Sequence, residues 1–204
     1  YSALKYAEVP VVSASTGMCL GGGCEVLLHS DAVQAHSESY IGLVEVGVGI
    51  IPAWGGCKEM LGRLTQNGYA AGGPMGPVTS AFETIALAKV AKSAQQAQDI
   101  GYLTHDDRIT MNRSRLIYDA KQLVLELSIN YEPPKPHVFH LPGRTGRAAL
   151  ALAVSDLRRS GRATPHDVTV SDALAEILSG GDTDVMDILT EEDVLELERE
   201  AISR

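Results

Sequence analysis

Cysteine, aromatic residues and long apolar runs are all scarce in this 204-residue chain. Its three cysteines, Cys19, Cys24 and Cys57, make neither an even set nor a CxxC pair. That argues against a disulfide-stapled scaffold and for a reducing, cytoplasmic compartment. Cys19, Cys24, His29 and His36 lie close in sequence without a recognised metal-ligand spacing, so no metal is expected. No uninterrupted apolar run approaches the ~20 residues of a membrane span. Tyr1 to Val9 contains Lys5 and Glu8 and does not read as a secretory leader. There is no Gly-x-Ser-x-Gly elbow, which removes the usual serine hydrolase reading. An excess of basic charge is also lacking. The net charge is −9, and all of it comes from Ser171–Arg204, where eleven acids face two arginines. The preceding residues balance, so neither nucleic acid nor an anionic membrane is an expected partner.

What is present is an ordinary globular mixture, 45% hydrophobic and 21% charged. The stretch from Val9 to Leu64 is rich in glycine and small residues. Val11–Ser15 reads as a buried strand closed by Thr16-Gly17. Leu20-Gly21-Gly22-Gly23 reads as a turn entering a helix over Cys24–His29, and Ala32–Ala35 as a second strand. Six glycine or proline breakers between Ile41 and Gly56 argue for a structured loop. Beyond Leu64 the pattern becomes helical. Thr65–Thr79 reads as a connection, followed by a capping box at Ser80 and Glu83. Further helix starts are Ser93 with Gln96, Asn112, Thr164-Pro165 and Thr190, with stops at Gly101, Gly161 and Gly180-Gly181. The expected division is 1–64, an α/β core segment, and 65–204, a helical region.

Chemistry concentrates in two places. Glycines opening a helix leave backbone N–H groups without intrahelical partners and let a ligand carbonyl approach the chain closely. The positive helix end adds to their pull on a developing negative charge. Glu25 follows Gly22 by three residues, one helical turn. Glu45 is the lone charge between Ser39 and Cys57, and an apolar setting raises a carboxyl pKa toward the range useful for proton transfer. Two carboxylates and an oxyanion hole suit protonation and water addition beside a thioester carbonyl. Gly47-Val48-Gly49-Ile50-Ile51-Pro52 is a near miss to a dinucleotide fingerprint, with Pro52 where close packing needs glycine. The basic run Arg144, Arg147, Arg158, Arg159 and Arg162 reads as a solvated helix face, or as a contact for a ligand phosphate or a partner domain.

The strand ending in Ser15-Thr16-Gly17, then Leu20-Gly21-Gly22-Gly23-Cys24-Glu25, Ser30-Asp31, Ala35-His36-Ser37, and Gly42-Leu43-Val44-Glu45 through Gly55-Gly56 together resemble the crotonase (enoyl-CoA hydratase/isomerase) superfamily. The resemblance implies a crotonase-like ββα spiral core segment whose N-terminal part precedes Tyr1, followed by a helical C-terminal region. It implies Gly22 N–H as an oxyanion donor, with the other donor contributed by earlier residues. It also implies Glu25 and Glu45 as the two catalytic glutamates, Glu25 activating water at Cβ and Glu45 exchanging the proton at Cα. Leu20, Gly21, Val44, Pro52 and Ala53 map to the acyl-binding lining, with Val44 standing where the family usually has proline. Ala53-Trp54 replaces a Gly-Ala pair. Ser93–Ala97, Ile100–Leu103 and 166–201 look like bacterial 3-hydroxyacyl-CoA dehydrogenases that end in a hydratase domain. That implies an acyl-CoA thioester substrate, no cofactor within this segment, and NAD only for a separate dehydrogenase domain. A homo-oligomer, usually a trimer in the family, is the implied assembly. An isomerase, or a non-catalytic module that docks subunits, is the alternative.

Overall fold

The computed structural model describes residues 1–66, 73–161 and 163–203. In chain order the first elements are α1 (Ser2–Lys5), β1 (Val12–Ser15), β2 (Met18–Leu20), α2 (Gly22–Leu28), β3 (Ala32–His36) and β4 (Tyr40–Gly42). A 3-10 turn over Glu45–Val48 leads to α3 (Gly56–Gln66), α4 (Met75–Ala86), α5 (Ala94–Ile100) and β5 (Arg108–Thr110). A second 3-10 turn, Arg113–Arg115, enters α6 (Leu116–Leu127), followed by β6 (Val138–Phe139) and α7 (Gly143–Arg159). The chain closes with α8 (Pro165–Ser179), β7 (Leu189–Thr190) and α9 (Glu191–Ser203). Among the described residues no helix is long and apolar enough to cross a membrane.

These elements form two compact units, each discontinuous in sequence: residues 1–43 with 90–135, and residues 44–89 with 136–204. The division therefore differs from the expected 1–64 and 65–204. The physical reason is return of the chain: β5 pairs with β3, and α9 packs on α3, so residues distant in sequence share a core.

In the first unit, three parallel strands run in the order β1-β3-β5, with Val12 opposite Ala32 and Gln34 opposite Arg108. A separate parallel pair joins β2 to β4, with Leu20 opposite Gly42. Parallel partners need a crossover, and α2 serves both pairs because the strands interleave in sequence. Val33 and Ala35 of β3 are fully buried, and α6 covers β1 and β3 with Leu116, Ala120 and Leu123 on one stripe. The buried Asp107 holds the layout in place. Its carboxylate accepts the Val33 N–H and the Thr104 N–H, both at 2.7 Å. Asp31 accepts the Val11 N–H at 2.7 Å and the Tyr131 hydroxyl at 2.8 Å. Burial, with that hydrogen bond and the Asp31 charge, pushes the Tyr131 phenol up to about 12.

The second unit is helical. α8 lies against α7, α4 and α9, and α3 lies against α4, with Met60, Leu61, Val78, Ile85, Leu174, Ile177 and Val194 in the core. α4 corrects the expected capping box, because Ser80 lies inside the helix. The helix starts instead at Met75, with Pro77 in its first turn, where a missing N–H loses no helical hydrogen bond. The remainder of Thr65–Thr79, residues 67–72, lies outside the described residues. The starts at Ser93, Asn112, Thr164 and Thr190 stand: each side chain accepts a backbone N–H of its own first turn. The basic run is a solvated face of exposed ion pairs, Arg144 with Asp182, Arg147 with Glu176 and Arg159 with Asp156. Arg162 lies outside the described residues.

Within this unit sits a buried charged cluster. Lys58 is 0% exposed, and its ammonium contacts Glu59 and lies 3.2 Å from Glu191 Oε2. Glu191 Oε1 accepts the His137 N–H at 2.9 Å. Glu198 accepts the N–H groups of Gly55 and Lys58 at 2.8 and 2.9 Å. Its carboxylate thereby satisfies orphan amides at the start of α3 and meets the positive end of that helix.

Removing one partner of a buried ion pair leaves an uncompensated charge. Lys58→Met is therefore expected to lower stability by about 3–5 kcal/mol in urea unfolding. At the start of α9, hydrogen bonds from the Thr190 side chain and backbone hold the Asp193 carboxyl below its ordinary value of 3.8. The unfolded chain binds that proton more readily, so the stabilisation is full above about pH 4 and is lost as pH falls below it. Asp193→Asn should flatten that part of the acid-unfolding profile, measured by urea titration at successive pH values.

Candidate functional site

The β2–α2 corner is built on one glycine. Gly21 adopts φ +56° and ψ −128°, a conformation open to glycine and closed to residues with a Cβ. It is reached because β2 ends in register with β4, and the pairing continues as Gly21 N–H donates to Gly42 O at 2.9 Å. The chain then enters α2 at Gly22 and Gly23. A Cβ at Gly23 would meet nothing within 4 Å, so this helix start is open to solvent on that side.

Glu25 lies one turn into α2 and is 3% exposed. Its own carbonyl accepts from His29 Nδ1 at 2.7 Å, and the His29 ring stacks on Tyr1 at 5.4 Å between centroids. Burial raises the Tyr1 phenol above its ordinary value, and the Glu25 charge adds to the rise. A buried carboxylate therefore stands behind a glycine-opened helix start. Burial also raises the Cys19 thiol, so that cysteine is a poor nucleophile at neutral pH.

In the other unit, Glu45 opens a 3-10 turn for which Val44 is the N-cap. Glu45 is half-buried, with its Oε2 shielded from solvent. The turn is closed by Gly47 N–H to Val44 O at 2.9 Å and Ile50 N–H to Glu45 O at 3.2 Å. Pro52 is buried and Ala53 half-buried in the irregular stretch before α3, and Cys57 Sγ donates to Pro52 O at 3.5 Å. Val48, Ile50 and Trp54 of the same stretch are exposed, at 78%, 54% and 64%.

The sequence-derived residues thus fall into two groups. Leu20, Gly21, Gly22 and Glu25 share the β2–α2 corner of the first unit. Val44, Glu45, Pro52 and Ala53 share the loop before α3 in the second. Two residues near that loop escaped the sequence reading. His166 Nε2 donates to Gly49 O at 2.8 Å across 117 residues of sequence, and Glu198 reaches Gly55 across 143. The single local signal was the Thr164-Pro165 helix start, which sets residue 166 in a first turn. No group of three or more His, Cys, Asp or Glu side chains among the described residues is placed to hold a metal ion.

Comparison with known proteins adds the family. Residues 1–72 match the family described as enoyl-CoA hydratase/isomerase. A Bacillus subtilis protein named "Probable 3-hydroxyacyl-CoA dehydrogenase" is 43% identical over 199 residues, covering 97% of this chain and 25% of that protein. A short-chain-enoyl-CoA hydratase of Clostridium acetobutylicum is 43% identical over 67 residues, covering 33% of this chain and 25% of that enzyme. The chain therefore spans about a quarter of the length of each of these curated relatives. Among solved structures, an enoyl-CoA hydratase from Bacillus anthracis aligns with a TM-score of 0.48 and 20% identity, over 98% of this chain and 55% of that one.

Gly21→Ala places a Cβ in a conformation that L residues avoid. We expect a loss of about 1–3 kcal/mol in thermal or urea unfolding, with the strain centred on the start of α2.

Proposed function

The chain belongs to the crotonase, or enoyl-CoA hydratase/isomerase, superfamily, and from that premise we propose that it serves the hydration of trans-2-enoyl-CoA to 3-hydroxyacyl-CoA in fatty-acid β-oxidation. The observation that carries the reading is the β2–α2 corner, where a glycine-only turn exposes helix-start amides and buries Glu25 one turn behind them. Gly22 N–H then binds the thioester oxygen as negative charge develops on it. A donor of this type contributes roughly 2.7–4 kcal/mol to the transition state. Glu25 orients and activates the water that attacks Cβ. Glu45, half-buried in its 3-10 turn, exchanges the proton at Cα. Retention of both carboxylates favours hydration over a simple double-bond shift, which needs one proton-handling group at a time. Leu20, Gly21, Val44, Pro52 and Ala53 contribute the acyl-binding lining.

The segment itself needs no cofactor for this chemistry. Its likeness along nearly its whole length to a protein named as a dehydrogenase supports its place in a longer, multifunctional polypeptide. In that setting NAD serves a different domain, and the product of hydration, a 3-hydroxyacyl thioester, is what that domain would oxidise. The likeness also supports a cytoplasmic enzyme that assembles as a homo-oligomer.

The test follows loss of enoyl-thioester absorbance with the intact gene product and a short trans-2-enoyl-CoA. Glu25→Gln and Glu45→Gln should each lower kcat by about 10²–10⁴. Product analysis should show a 3-hydroxyacyl thioester. A 3-enoyl product would replace hydration with isomerisation, and full turnover by either variant would remove that glutamate from the chemistry.

A further inference from the structure

We infer that His166 is a positioning residue for Glu45, acting through a single peptide group. This rests on the reading of Glu45 as the proton-exchanging carboxylate. A backbone carbonyl can only accept, so His166 Nε2 carries the proton in its 2.8 Å contact with Gly49 O. The same peptide unit, Gly49–Ile50, turns its N–H the other way and donates to Glu45 O at 3.2 Å. One amide plane therefore joins the imidazole on one side to the Glu45 backbone on the other. Hydrogen bonds in series polarise the shared group and strengthen one another.

Both ends of this relay are constrained. His166 sits in the first turn of α8, inside the capping box in which Thr164 and Asp167 bond reciprocally. Val170, Leu174, Ala175, Ile177 and Leu178 bury that helix. At the other end, Gly49 takes the left-handed conformation, φ +83°, that ends the 3-10 turn begun by Glu45. A Cβ built on Gly49 would lie 2.8 Å from His166 Nε2, so the imidazole approaches the backbone as closely as the missing side chain allows. The turn itself is four residues long, and an isolated turn of that length has few bonds to fix its orientation. A donor supplied by a buried helix provides that fixation, and with it the direction in which Glu45 leaves the chain.

The experiment uses the intact gene product with a short trans-2-enoyl-CoA, comparing wild type with His166→Ala and His166→Gln. A hydrogen bond at this exposed position should be worth about three- to tenfold in kcat, with KM changed less than twofold. His166→Gln keeps an N–H donor of similar reach and should restore most of kcat. Amide hydrogen exchange at Ile50, read by mass spectrometry or NMR without substrate, should be faster in His166→Ala by about the same three- to tenfold. Unchanged kcat in His166→Ala, a defect confined to KM, or unchanged Ile50 exchange would each overturn the positioning role. Wild-type turnover by Glu45→Gln overturns the functional reading instead. The two failures are distinguishable, because faster Ile50 exchange in His166→Ala supports the clamp whatever Glu45 does.

Discussion

The parallel pairing of β2 with β4 is the constraint on which the candidate site depends. Each strand has three residues, and the pair is extended by the Gly21 N–H bond to Gly42 O. That bond sets where β2 stops. Because β2 stops there, the chain must turn at Gly21 in a conformation only glycine holds, and α2 begins immediately with Gly22 and Gly23 outermost. Glu25 is carried to its buried position by helix geometry alone, one turn further on. A sheet of three-residue strands thus sets the starting point of the Glu25 carboxylate.

Legibility in the sequence followed the range of the forces involved. Helix caps at Ser93, Asn112, Thr164 and Thr190 are local hydrogen bonds, and local spacing was enough to find them. β1 and β3 stood out because buried parallel strands need continuous runs of small or apolar residues. β2, β4 and β5 were not legible. Three residues carry almost no periodic signal, and β5 exists because Gln34–His36 lies ready to pair with Arg108–Thr110. The start of α4 differs from the expected one because Ser80 and Glu83 have the right spacing for a cap, while Thr65–Thr79 reads as a connection although a first turn tolerates Pro77. At the site, Gly21, Gly22, Glu25 and Glu45 were visible as residue types in a recognisable order. The hold of His166 on Gly49 was invisible, since it depends on two segments meeting across 117 residues.

The acidic end of the chain acquires a different meaning in the structure. Read as composition, the segment 171–204 is a surplus of negative charge. Two of those carboxylates are committed to internal contacts: Glu191 and Glu198 are buried at 6% and 0% exposure. The partners are Lys58, His137 and the amides of α3. The charge that electrostatic bookkeeping assigns to the surface is in part the adhesive of the helical unit. An apolar replacement of the whole cluster could match its stability, but two carboxylates aimed at fixed amides specify where α9 must lie in a way that interchangeable apolar contacts do not.

The discontinuity of the two units has a consequence for time. During synthesis β3 is made before its second neighbour, residues 108–110, is available to pair with it. α3 waits longer, because the carboxylate that meets its first amides is Glu198, 140 residues downstream of Lys58. Native contacts of such long sequence separation close late. The candidate site residues are therefore translated ahead of the segments that order them. Through that interval an apolar, weakly charged segment stands without its partners, the kind of exposed surface that is prone to aggregation.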